Sequence, residues 1–425
     1  MDQTRYIQSF NNSIGLISLI VVFYLLLVNA FVFNFSVWGY YGLVLDFNYF
    51  KLFESLFLIL FLSLFIRAEN DRPYNYALFS ILVLIFIPIS AYYSTANQSR
   101  IFYYSIVLGT TSLFLVPLIL PRLQLKYLKH SKLSFYLISL ILLGLSLFVT
   151  VSSSGSISFD AFDLTQNYSI RSSNSVSPLV ERLRNLSFYV VLPTLISHSI
   201  LSKRNLWFLL WLSISVLFFL ISASKFAFAF SILSAVLALI FRVSKKPTFI
   251  VLQGLLGICI FAVFVREFEV LRVISNLVIF RPLEIPAWLN FVYYDYFSNN
   301  GLIYLSETFP SIIEPQYDTS APRLIGNYLF PDDGTSWANV GLWGDAYINI
   351  GLLGPLLYGT VAGIIFWFYD SLVPEKHLGT FSILIILMTF YLANGSLLTI
   401  LSSRGLIFAI FMAWIYGGYK IHYSD

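Results

Sequence analysis

Long apolar runs recur along almost the whole chain, separated mostly by short charged joints. A helix needs about 20 such residues to cross a hydrocarbon core of ~30 Å, and inside that core the backbone must satisfy its own hydrogen bonds. The runs therefore predict an all-α polytopic membrane helix bundle. Alternating strand-length segments are absent, which excludes a closed outer-membrane barrel. Only 11% of residues are charged, against roughly 25% in soluble domains. The expected spans are 14–33, 51–66, 76–93, 101–120, 135–150, 186–201, 206–222, 227–241, 248–265, 346–369, 380–394 and 398–416. That makes about twelve, with both termini on one face and residues 1–425 forming a single membrane domain. The first run, Ile14–Phe33, lacks a small-x-small cleavage site and reads as a span rather than a signal peptide.

Charge orients the bundle. With the termini inside, the inner joints collect 14 of the 25 basic residues but only 6 of the 21 acids, as the positive-inside rule requires. Two polar stretches, 151–185 and 266–345, then lie on the outer face as the third and fifth outer connections. Together they hold about a quarter of the sequence, so the chemistry is expected there.

The outer face has a distinct character. Nine of its cations are Arg: Arg100, Arg171, Arg182, Arg184, Arg266, Arg272, Arg281, Arg323 and Arg404. A guanidinium fork matches phosphate oxygens two at a time, whereas Lys is a point charge. As a set they suit a phosphate or diphosphate near the headgroups. Arg404 lies inside the last apolar run, where an ionisable group is costly and marks function. Lys225 sits at a turn between two runs. An aromatic-rich segment from Trp288 to Phe297, with Trp337 and Trp343, suits an interfacial helix or the apolar faces of sugars. The outward carboxylates Asp160, Asp163, Glu181, Asp295, Glu307, Asp318, Asp332, Asp333 and Asp345 are the candidate proton acceptors.

Other chemistry is excluded. The single cysteine, Cys259, rules out an intrachain disulfide or a cysteine metal site. His130, His198, His377 and His422 all map to the inner side, so no outward histidine is available. No phosphate-cradling glycine loop or zinc motif occurs, and the scattered cations do not suit nucleic acid. An outward enzyme without nucleotide must receive an activated substrate, such as a lipid-linked sugar diphosphate.

Three local patterns join the layout. Gly341-Leu342-Trp343-Gly344-Asp345-Ala346-Tyr347-Ile348-Asn349-Ile350-Gly351-Leu352-Leu353-Gly354 carries an acidic-Ala-Tyr step and then Gly-x-x-Gly. Ser222-Ala223-Ser224-Lys225 is a Ser-cation turn with Lys where Arg is usual. Arg323 and Gly334 fit an Arg-x10-Gly spacing. With about twelve spans and large third and fifth outer loops, the chain resembles the Wzy-type oligosaccharide repeat-unit polymerases, which build O-antigen, capsule and related polysaccharides in bacteria. The resemblance implies a metal-independent, GT-C-like glycosyltransferase with no cofactor. It would act on undecaprenyl-diphosphate-linked oligosaccharide at the outer face of the cytoplasmic membrane, among membrane lipids and with a Wzz-type chain-length regulator as partner. The expected catalytic residues are Arg323, Arg404, Lys225 and either Asp345 or Asp333. Arg281, Arg171, Arg182, Arg184, Trp337, Trp343, Tyr347 and Asn349 are expected to bind substrate. The alternatives are an O-antigen ligase, disfavoured by the lack of an outer-loop histidine, and a lipid-linked oligosaccharide flippase or transporter.

Overall fold

The computed structural model describes residues 3–67, 72–123, 131–154, 159–162, 177–332 and 336–416. Among these residues the chain is all-helical, and the only β pairing is an isolated bridge between Asp46 and Ala96. Eight of the described helices are long and apolar enough to cross a membrane: Ser13–Val37, Pro73–Thr95, Arg100–Ile119, Leu133–Ser153, Asn205–Ser222, Pro247–Val265, Leu342–Leu372 and Leu397–Tyr416. The other four predicted runs also coil. Tyr49–Ser63 and Leu378–Tyr391 are short, with 15 and 14 residues; the other two lie on 178–201 and Lys225–Val243.

Pro73–Thr95 is the buried centre, covered on almost every side, whereas Leu133–Ser153 and Asn205–Ser222 turn most of their apolar residues outward. One seam beside it is unusually close. Arg100–Ile119 lies against Gly354–Leu372, and Gly359-x-x-x-Gly363 faces it. A Cβ on Gly359 would lie 2.1 Å from the Gly109 carbonyl oxygen. Apolar solvent gives helices no hydrophobic reason to associate, so small residues that let backbones touch supply the packing. Ser105 Oγ donates to Leu352 O at 2.7 Å, and Ser112 pairs with Thr360 at 2.6 Å.

Three helices contain a π segment: Leu82–Phe86, Ser187–Val191 and Asn276–Glu284. Each ends two residues before a proline, at Pro88, Pro193 and Pro286. Proline cannot donate to the carbonyl four residues back and its ring crowds that carbonyl, so a widened turn re-satisfies the backbone.

Part of the large polar stretch 266–345 packs into the protein, while much of 267–273 and 307–318 is exposed. Its aromatic-rich helix, Ile285–Asn300, buries Trp288, Phe291, Tyr293 and Phe297. Phe291 stacks on Tyr92 and Tyr294 on Phe102. This segment is an inner wall rather than a strap on the membrane surface.

The seam gives a direct test. Gly359→Ala pushes a methyl into backbone that cannot yield, and overpacking of this kind costs about 1–3 kcal/mol. Its melting temperature in detergent should fall by several degrees. Gly254→Ala, with open space around it, should leave melting unchanged or raise it. Equal melting of the two variants would contradict the close-packed seam.

Candidate functional site: a cationic, aromatic-walled cavity

A cavity of about 890 Å³ opens between the described parts of the two polar stretches and the last helices. Its volume falls in the ~300–1,000 Å³ range of ligand sites. Among the described residues four cations line it, Arg184, Lys225, Arg281 and Arg404, with Glu181 the one acid. Aromatic rings form much of the wall, including Tyr41, Tyr189, Trp288, Trp337 and Tyr391. Asn185, Asn339 and Asn394 add amides.

Each wall has a local cause. The helix Pro178–Leu186 starts with proline and carries Glu181, Arg184 and Asn185 at i, i+3 and i+4, one stripe that faces the cavity. The π segment after it carries Phe188 and Tyr189 onto the same wall. Asn205–Ser222 stops at Ala223, whose φ of 50° is left-handed, and Lys225 begins the next helix. The first amides of Lys225–Val243 therefore meet the cavity, with the positive end of that helix's dipole beside the Lys225 side chain.

Arg281 lies in the third π segment, Asn276–Glu284. The Phe280 ring next to it stacks on Trp38 at 5.0 Å, with interplanar angle 14°. Three residues on, Glu284 is fully buried and accepts a 2.5 Å hydrogen bond from Asn34 Nδ2. Burial pushes the Glu284 carboxyl well above the ordinary carboxylate range, and the Asn34 bond opposes this only partly. Trp337 and Asn339 are held by a backbone pin between them: Tyr293 donates to Ala338 O at 2.6 Å, and Ala338 N donates to Pro322 O at 2.9 Å.

Arg404 is the most constrained of the cations. The last span breaks between Leu397–Ser402 and Leu406–Tyr416, with Gly405 at φ 89°. A Cβ on Gly405 would also meet Leu186 and Val190, at 2.7 and 2.9 Å. The Arg404 guanidinium lies 4.9 Å from the Tyr391 ring centroid and 5.3 Å from that of Tyr189. Its Nη1 makes a long 3.4 Å bond to the Tyr189 hydroxyl, and its Nε is buried with no hydrogen-bond partner. A cation–π contact contributes roughly 0.5–2 kcal/mol. An orphaned buried donor costs about 1–3 kcal/mol, and more when charged. The balance leaves Arg404 short of an acceptor, which an anionic ligand would provide.

Residues singled out from sequence, among them Glu181, Arg184, Lys225, Arg281, Trp288, Trp337 and Arg404, thus share one cavity. Others lie elsewhere. Arg323 is exposed on Ala321–Leu329 and does not reach the cavity; Arg182 is exposed and also outside it. Trp343 is fully buried beneath Gly109, and Tyr347 packs on Tyr294 and Phe102. Asn349 accepts from Leu305 N and donates to Asp345 O. The side chain of Asp345 also accepts from Asn349, and its other oxygen is buried without a partner. These four residues knit Leu342–Ile350 into the core rather than forming the expected substrate surface. Arg171 and Asp333 lie outside the described residues. Tyr189, Tyr391, Asn185, Asn339 and Asn394 were missed because they sit within or beside apolar runs and carry no charge to mark them.

No family model, curated protein or solved structure matches the chain.

Inorganic diphosphate is a probe of the cavity's charge. In calorimetric titration of the purified protein, Arg404→Ala and Gly405→Ala should weaken its binding about tenfold or more, while Arg182→Ala binds as wild type. Equal affinity in all three would show that diphosphate does not occupy this cavity.

Proposed function

We propose that the chain is a membrane glycosyltransferase that polymerises undecaprenyl-diphosphate-linked oligosaccharide repeat units, as the resemblance to Wzy-type polymerases implies. The observation that carries the reading is the convergence, among the described residues, of four cations with a single acid on a cavity walled by aromatic rings and amides. In this reading a growing glycan leaves its lipid diphosphate and joins the non-reducing end of a new lipid-linked unit. The departing diphosphate carries the charge that develops in the transition state. Fixed cations in a partly dry site stabilise such charge most strongly. Arg281, Arg404 and Lys225 take that role, Arg184 supports them, and Trp288 and Trp337 offer faces for sugar rings.

The proposal includes the finer topology. The eight membrane-length helices and the four shorter or more polar runs make twelve spans in a GT-C-like bundle. Both termini are cytoplasmic, and the cavity opens on the outer face of a bacterial inner membrane. A Wzz-type regulator of chain length is the expected protein partner. Charge counting supports this orientation, since the cavity's cations are those the positive-inside rule leaves on the outer side.

Glycan ladders test the reading. Cells lacking the chain should carry single repeats where complemented cells carry a ladder. Arg281→Ala and Arg404→Ala, present in the membrane at normal levels, should fail to restore the ladder. Arg323→Ala should restore it. A null strain with no attached glycan at all would point instead to a ligase, and one that accumulates lipid-linked units on the cytoplasmic leaflet would point to a flippase.

A further inference from the structure

We propose that Glu181 is the catalytic carboxylate of the cavity, the group that accepts the proton of the attacking acceptor hydroxyl. The inference rests on the polymerase reading above and assigns a residue that reading left open. Sequence alone favours Asp345 or Asp333 for this role, but Asp345 is bound into the core by Asn349.

Glu181 is the one acid among the described residues that line the cavity. Several other described carboxylates are engaged elsewhere. Glu284 is bonded to Asn34, and Glu54 to Tyr93, Tyr104 and Arg100. Asp370 pairs with Arg72 at 2.7 Å, and Glu307 accepts from the Ala321 amide. Glu181 instead stands exposed on the helical stripe that carries Arg184 and Asn185 to the same wall. That stripe sets a proton acceptor one turn from a cation and an amide that can orient a hydroxyl.

The step balances without a further reactant. The acceptor oxygen forms a bond to the anomeric carbon of the glycan as the bond from that carbon to the diphosphate oxygen breaks. The bonding electron pair leaves with the diphosphate, whose charge the cavity's cations meet. The hydroxyl proton passes to the Glu181 carboxylate and from there to water.

The test compares purified wild type, Glu181→Gln and Glu181→Asp on lipid-linked repeat units across pH. Positioned general bases contribute about 10²–10⁴-fold. Glu181→Gln should therefore lose at least about 100-fold in kcat while KM and melting temperature stay close to wild type. The acidic limb of the rate profile should vanish in Glu181→Gln, and Glu181→Asp should recover part of the rate. A Glu181→Gln enzyme that turns over like wild type would overturn the assignment, as would a slowed one that keeps the acidic limb. Wild type that makes no polymer from these units would instead remove the polymerase reading, and this assignment with it.

Discussion

A backbone surrounded by hydrocarbon has no water to bond with, and the architecture follows from that constraint. It makes every described element helical and sends helices together through backbone contacts such as the Gly109–Gly359 seam. Irregular backbone is tolerable only where it lines a cavity or is covered by protein. The Ser222–Lys225 turn, the break at Ser403–Gly405 and two of the three π segments all contribute residues to one cavity. Broken helices that aim dipole ends and side chains at a ligand recur in membrane proteins for this reason.

Electrostatics then gives the cavity its character. Elsewhere some described charges are paired, as in Arg72 with Asp370 and Arg100 with Glu54. Among the described residues of the cavity, four cations face a single carboxylate. Arg404 is held between two tyrosine rings with a buried donor left over. That arrangement costs stability, which a bound anion would restore. The aromatic walls and amides add what a sugar needs next to a phosphate: flat apolar faces and hydrogen-bonding groups that discriminate hydroxyls.

Much of the fold was legible because hydropathy marks helices directly. Eight of the expected runs form helices long enough to cross a membrane, and charge and position drew attention to Arg281, Lys225 and Arg404. What stayed hidden has physical reasons. Arg323 looked equal to Arg281, but the helix after Pro322 turns it to solvent. Asp345, Tyr347 and Asn349 have polar groups that suggest a surface, yet Asn349 bonds Asp345 and the Leu305 amide, and the Tyr347 ring packs on Phe102 and Tyr294 inside the core. Glu284 gave no sign of being buried, since its partner Asn34 lies 250 residues away in sequence. The prolines at 88, 193 and 286 do announce the π segments, but only the fold reveals which of them border the cavity.

The central claim is that one cavity receives a lipid diphosphate. An electron cryomicroscopy structure of the purified protein in lipid nanodiscs with undecaprenyl diphosphate tests it most directly. The account predicts phosphate density within about 3 Å of the Arg281 and Arg404 guanidinium nitrogens, beside Lys225. Phosphate density elsewhere, with this cavity empty, would contradict it.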